Sequence, residues 1–97
     1  MEHKHRFKVR YETEIITENK RIKPNGFSSI VFRNLGDTDA VVLENIPLKA
    51  HVANDTYFDE FMFINRPGEI IAQDLGVKFS APNAGPSVLV IKTFYEI

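Results

Sequence analysis

Regular alternation of polar and apolar residues near the start of the sequence is the feature that most constrains the fold. Between Lys4 and Ile15 every second residue is charged, and the residues between the charges are mostly aromatic or β-branched. A period of two places these two sets on opposite faces of an extended chain. We therefore expect a long first β-strand with one wet face, formed by the charged residues.

Turn residues divide the rest of the chain into short segments. Proline fixes φ, and asparagine and glycine tolerate the left-handed region, so their clusters predict tight turns. Such clusters occur at Lys23–Gly26, Asn34–Asp37, Arg66–Glu69 and Asn83–Pro86. The segments between them are rich in β-branched and aromatic residues, which favours strands. We expect these strands at Phe27–Asn34, Ala40–Ile46 (ended by Pro47), Ile70–Ala72, Val77–Phe79 and Ser87–Ile97.

The segment Tyr57–Ile64 fits two structures. Phe61 and Phe63 alternate as in a strand, whereas Tyr57, Phe61 and Ile64 form a helical stripe behind an Asn54-Asp55 cap. The aromatic enrichment and the β-rich surroundings make a strand the preferred interpretation.

The pattern as a whole predicts an all-β fold of about seven strands with at most one short helix. Strands that recur with turns every 8–12 residues are typical of an antiparallel β-sandwich or a jelly-roll-like barrel. The last strand is apolar on both faces, which predicts a central strand covered on both sides. We divide the chain into an N-terminal strand or arm, residues 1–23, and a sandwich domain, residues 24–97.

Composition sets limits on the function. The 97 residues suffice for one core, and the absence of cysteine excludes disulfides and thiolate metal sites. The net charge of −1 provides no global attraction to nucleic acid or membranes. Residues 1–23 nevertheless carry seven basic and four acidic residues, against five and nine in the remainder. A basic arm on an acidic body suits self-association. No apolar stretch follows the first residues, so we expect no signal peptide and no membrane span.

The first strand provides one set of candidate interface residues. Its cations Lys4, Arg6, Lys8 and Arg10 share one face, and Phe7, Val9 and Tyr11 share the other. Cations in a row can track phosphates, but here the aromatic rings lie on the opposite face and cannot add a stacking groove. A charged edge strand that discourages unwanted pairing is the preferred interpretation over nucleic-acid binding. A third interpretation is that these cations dock onto an acidic neighbouring subunit.

Histidines and carboxylates predict no active site. His3 and His5 have the spacing of a metal-binding pair, but they lie in the terminal residues, where a solvated tail is the better interpretation. Asp59 and Glu60 are neighbours on a strand and point to opposite faces. The sequence also has no nucleophile elbow and no phosphate-binding glycine loop. We therefore expect a protein that is not an enzyme, with no cofactor and no small-molecule substrate.

Aromatic residues provide the second set of interface candidates. The cluster comprises Tyr57, Phe58, Phe61 and Phe63. Exposed rings could form a platform for sugar or protein, because they offer a large area at a low entropy cost. Core packing or a subunit interface is the default for most of them.

The sequence also resembles a family of small virion proteins. The run IVFRNLGDTDAVVLENIPL, from Ile30 to Leu48, has a strand ending in Asn-x-Gly, a turn, and a valine-rich return to an Ile-Pro-Leu step. Pro67-Gly68-Glu69 and the strand Leu89-Val90-Ile91 with Tyr95 follow. This order resembles small β-sandwich structural proteins of bacteriophages, especially those of Bacteroidetes hosts, over about residues 27–97. The segment after Leu48 departs from it as an insertion that holds the aromatic cluster.

The resemblance implies a head-decoration, head-fibre or tail-associated subunit that assembles in the host cytoplasm and resides in the virion. Its partners would be copies of itself and other virion subunits, and the family supplies no catalytic residue. A soluble binding module for a carbohydrate or another polymer is the alternative. Within the first interpretation we expect the N-terminal strand to add to a neighbour's sheet. Pairing within its own subunit is the competing possibility.

Overall fold

The structure, a computed structural model, describes residues 8–96 and is all-β. Eight strands form two antiparallel sheets, and no helix occurs within the described range. The strands are β1 (Lys8–Ile16), β2 (Lys20–Ile22), β3 (Ser29–Asn34), β4 (Ala40–Val42), β5 (Ile46–Leu48), β6 (Glu60–Phe63), β7 (Leu75–Phe79) and β8 (Val88–Glu96). The preferred strand interpretation of the segment Tyr57–Ile64 is confirmed for Glu60–Phe63, and the other residues of the segment lie outside the strand.

The strand order is that of a jelly roll. The first sheet runs β1-β8-β3-β6 and the second runs β2-β7-β4-β5. The first strand pairs with the last, the second with the seventh, the third with the sixth and the fourth with the fifth. A long antiparallel ribbon wound into two facing sheets gives this order. The prediction of an antiparallel sandwich is confirmed.

The core lies between the sheets. The first sheet contributes alternate residues of β3 and β8, among them Phe32 and Val90, both fully buried. The second sheet contributes Val42 and Val77 from its central strands. Phe27 enters from the turn before β3 and meets the ring of Phe94 edge-on at 6.2 Å between centroids. Alternation along each strand therefore fills one compact interior, since every second side chain faces the other sheet.

Strand β1 is an edge strand of the first sheet. It pairs with β8 of the same chain through nine residue pairs, from Lys8 opposite Glu96 to Ile16 opposite Val88. Ile16 enters the core, and β2 joins the second sheet through pairing with β7. Residues 8–22 thus contribute strands to both sheets within one chain. Exchange of this segment between chains, and the boundary at residue 23, stay predictions.

A buried asparagine organises the turn after β3. The side-chain amide of Asn34 donates to the carbonyls of Thr38 and Leu48, both at 3.0 Å, and its oxygen accepts from Gly36 at 2.9 Å. A Cβ at Gly36 would lie 2.5 Å from the backbone nitrogen of Ser87, so only glycine fits there. Asn34 and Gly36, the Asn-x-Gly step seen in the sequence, therefore hold neighbouring loops together by hydrogen bonds and close packing. We call these two residues the loop pin.

Three strand predictions were wrong. The segment expected as one strand, Ala40–Ile46, is a hairpin whose turn places Leu43 and Glu44 at positive φ. Pro47 lies inside β5 and does not end a strand, which is possible because β5 is an edge strand and proline lacks an N–H. Ile70–Ala72 is not a strand. The backbone N–H of Ile71 donates to the carbonyl of Phe27, which belongs to neither sheet, so the segment joins no ladder.

Candidate functional site

The outward face of the first sheet is apolar, and β1 contributes its apolar side to it. Val9, Tyr11 and Ile15 are 46%, 65% and 52% exposed. The expectation that the charged side of this strand would be its single wet face was wrong. Cross-strand pairing with β8 decides the direction: because Ile16 faces the core opposite Val88, the odd-numbered residues face outward.

The apolar side chains continue across all four strands. One row contains Thr13, Ile91, Val31 and Met62, each directly opposite the next. We call the outward-facing set the outer face; its members are Val9, Tyr11, Thr13 and Ile15 of β1, Leu89, Ile91, Thr93 and Tyr95 of β8, Val31 and Arg33 of β3, and Glu60 and Met62 of β6. The sequence predicted β8 to be covered on both sides. Within residues 8–96 no strand covers its outward side.

The outer face carries almost no free charge. Its only charged members are Arg33 and Glu60, which lie opposite each other on β3 and β6. The guanidinium of Arg33 bonds to the Glu60 carboxylate at 2.9 Å from Nε and 2.8 Å from Nη2. The pair neutralises itself at one corner, so the rest of the face can lose water without burying an uncompensated charge.

The even-numbered side of β1 carries its charges in exposed pairs. Arg10 donates to Glu96 of β8 at 3.0 Å and to Glu12 of its own strand, and these hydrogen bonds raise the pKa of its guanidinium. The same group lies 4.1 Å from the centre of the Phe94 ring. Glu14 accepts from Lys20 of β2 at 2.9 Å. The guanidinium of Arg10 therefore lies over Phe94, at the end of the core.

The four aromatic candidates do not form one platform. Phe61 and Phe63 face inward on β6 and pack against the core. Phe58 stacks on His51 with ring centres 4.0 Å apart, and Tyr57 remains 68% exposed. Core packing or a subunit interface was the default expectation for most of these rings, and Phe61 and Phe63 follow the first of these.

Tyr57 stands between two open grooves. One groove, of about 380 Å³, is lined by Lys49, Ala50, Val52, Asp55, Tyr57 and Asp59. The other, of about 340 Å³, is lined by Arg33, Thr56, Tyr57, Phe58 and Glu60. The carboxylates of the first groove bind backbone: Asp59 accepts from the Lys49 N–H at 2.8 Å and Asp55 from the Tyr57 N–H at 3.0 Å. These acids hold the loop before β6 in place.

Several candidates from the sequence have no described position. His3, Lys4, His5, Arg6 and Phe7 lie outside the described residues, so the metal-binding pair and the first half of the basic stripe stay predictions. Of the remaining stripe, Lys8 and Arg10 lie on the even-numbered side of β1. Within residues 8–96, no three His, Asp or Glu side chains gather closely enough to hold a metal ion.

Sequence reasoning missed the outer face as a single surface. The strands were predicted one by one from the sequence, and only the pairing of β1 with β8, of β8 with β3 and of β3 with β6 joins their outward residues into one surface. Apolar residues on both sides of the final strand were the available signal. No helix in the described part of the chain is long and apolar enough to cross a membrane. Comparison with known proteins gives no match to a family model, a curated protein or a solved structure.

Proposed function

We propose that this protein is a structural component of a bacteriophage virion that works by self-assembly and by docking to neighbouring subunits. The observation that carries the assembly role is the outer face, which is nearly uncharged and is covered by no strand of residues 8–96. The largest contiguous apolar patch on a monomeric protein covers about 300–600 Å² and is often an interaction site. Here Ile91 and Val31 lie at the centre of such a patch, with Tyr11 and Met62 toward its edges.

The size of the outer face fits the centre of a subunit interface. Strands lie about 4.8 Å apart and rise about 3.3 Å per residue, so the ladders cover roughly 400 Å². A stable interface buries about 800 Å² on each partner. The outer face would supply the apolar centre of such an interface, and further contacts must surround it.

The bacteriophage assignment comes from the resemblance of the sequence, chiefly the run from Ile30 to Leu48, to small virion proteins. Jelly rolls occur in viral capsid proteins and also in lectins and cupins, so the fold is compatible with the assignment and does not by itself select it. Two features of the resemblance have structural roles. Asn34 and Gly36 form the loop pin, and Pro67 with Gly68, at φ 93°, forms the later tight turn.

One observation favours the alternative of a binding module for a polymeric ligand. Tyr57 projects between two grooves, beside Lys49 and Asp55 in one and Arg33 in the other. An exposed ring flanked by polar groups suits a sugar or another extended polar chain. Calorimetric titration with oligosaccharides tests it: binding abolished by Tyr57→Ala would favour this function over assembly.

The virion role is tested on particles. Particles purified on a density gradient from cells that carry the gene should contain this chain in a fixed ratio to the major capsid protein, measured by quantitative mass spectrometry. The purified chain alone should also form an oligomer in light scattering. Its absence from the particles, together with a monomeric mass in solution, would reject the proposal.

A further inference from the structure

The free edge of β1 carries a charge order that is complementary to itself. β1 bonds to β8 on one side, and no strand of the described residues lies on its other side. Along the strand, Lys8 and Arg10 precede Tyr11, and Glu12 and Glu14 follow it. An antiparallel copy of this strand reverses the order of the charges, so cations meet carboxylates.

We propose that β1 pairs with β1 of a second copy of this chain, antiparallel and about a two-fold axis at Tyr11. In this register Lys8 lies opposite Glu14 of the second copy, and Arg10 lies opposite Glu12. The axis repeats both pairs, so all four charged residues of each strand meet an opposite charge. The two first sheets join into one eight-stranded sheet, in which the outer faces are continuous.

Neighbouring registers are disfavoured by like charges. The hydrogen-bonding pattern of an antiparallel ladder allows one strand to slide past the other only in steps of two residues, and each step moves the two-fold axis by one residue along the strand. One such shift places Arg10 opposite Arg10 of the second copy, and the other places Glu12 opposite Glu12. Like charges directly opposite each other destabilise a ladder, whereas opposite charges stabilise it. Among these three registers, only the one centred on Tyr11 has no like-charge pair.

The same features select a second copy over an unrelated partner. A two-fold interface uses one surface twice, so that surface must be complementary to itself, as the charge order of β1 is. Edge strands are protected against pairing when they are short or carry proline, bulges or charged side chains. The charges of β1 discourage pairing with strands of other sequence, but their order makes them attractive to an antiparallel copy of the same strand. β1 has nine residues, no proline and a regular ladder with β8. The existing ion pairs of Arg10 and Glu14 are exposed to solvent, so they can be shared with the second copy without a large penalty.

This inference rests on the proposed function, because it names the partner and the geometry of one contact in the assembly. The two can fail separately. If cross-linking shows no β1–β1 contact but the chain still assembles, only the edge register is rejected. Absence from particles with a monomeric mass would reject the proposed function.

Single cysteines test the register. The chain contains no cysteine, so each introduced thiol can only meet its own copy. Residues directly opposite in an antiparallel ladder have Cα atoms within disulfide reach. Tyr11→Cys should therefore give a covalent dimer under mild oxidation, at least tenfold faster than Val9→Cys or Thr13→Cys. In the proposed register the last two lie roughly 13 Å from their own copies. Mixing Val9→Cys with Thr13→Cys should restore fast cross-linking, because these two positions oppose each other.

Charge reversal tests the complementarity with the same readout. In the Tyr11→Cys background, Glu12→Lys with Glu14→Lys makes the strand wholly basic, and Lys8→Glu with Arg10→Glu makes it wholly acidic. Each protein alone should cross-link at least tenfold more slowly, and their mixture should recover as a heterodimer. Glu44→Lys with Asp74→Lys is the matched control for the basic variant, since it changes exposed carboxylates near the second sheet by the same total charge. Circular dichroism confirms that each variant is folded.

The outcomes separate clearly. Fast cross-linking only at Tyr11, with recovery in both mixtures, supports the two-fold β1 pair. Equal rates at Val9, Tyr11 and Thr13, or a Tyr11→Cys rate that neither charge reversal changes, would overturn it.

Discussion

Val31 lies directly opposite Ile91 on neighbouring strands of the first sheet, and both side chains point away from the core. Their neighbours Ile30 and Val90 face inward and are fully buried. The sheet therefore has two apolar sides, one filled by the second sheet and one covered by no strand of residues 8–96. An exposed apolar side of this kind is a candidate contact surface for another molecule.

Replacing Asn34 should destabilise the fold strongly. Asn34→Ala leaves the carbonyls of Thr38 and Leu48 and the N–H of Gly36 without their partner in a buried site. An unsatisfied buried polar group costs about 1–3 kcal/mol, so we expect a loss of about 2–4 kcal/mol in the free energy of unfolding. Urea denaturation measures it. Asn25→Ala, at an exposed turn, is the control and should change the value by less than about 1 kcal/mol. Equal effects would show that the pin is unimportant.

The aromatic candidates should divide according to their burial. Phe61→Ala removes a ring packed against the core and should cost about 2–4 kcal/mol in unfolding free energy. Tyr57→Ala removes a ring that is 68% exposed and should change stability by no more than about 0.5 kcal/mol. Thermal and urea unfolding of both variants check this difference. A large loss for Tyr57→Ala would show that its ring is buried in the protein as it exists in solution.

The fold was predictable wherever a local signal sufficed. Pro24, Gly26, Pro67 and Gly68 mark turns because their φ preferences are intrinsic to the residue, and both glycines have positive φ. The alternation of Ile30, Val31 and Phe32 likewise separates the two sides of β3, and the structure places Ile30 and Phe32 on the buried side.

The missed features depend on tertiary contacts. β2 has three residues, of which only Ile22 is buried, so its pairing with β7 leaves almost no pattern in the sequence. Alternation in β1 predicted that its charged side would face water, but alternation alone does not fix which side faces the core. The pairing of Ile16 with Val88 makes that choice. The outer face depends on this choice, and for that reason it could not be predicted from the sequence.

Deleting residues 1–16 should unfold the protein. The deletion removes β1, including the buried Ile16, and leaves one side of β8 without its nine-residue partner. We expect loss of the cooperative thermal transition in circular dichroism. Deleting residues 1–7 is the control, because it leaves all of β1 in place. A soluble, folded monomer after the longer deletion would instead identify the segment as a removable arm that pairs between chains.

Mass in solution tests the assembly role of the outer face most directly. Ile91→Lys with Met62→Lys places two charges on that face, and Val52→Lys with Ile70→Lys places the same charges on exposed loops elsewhere. In light scattering at several concentrations, the wild-type chain and the loop variant should form the same oligomer, larger than a dimer. The face variant should remain folded and fall to a dimer or a monomer. A wild-type monomer, or a face variant with the wild-type mass, would contradict an assembly role for this surface.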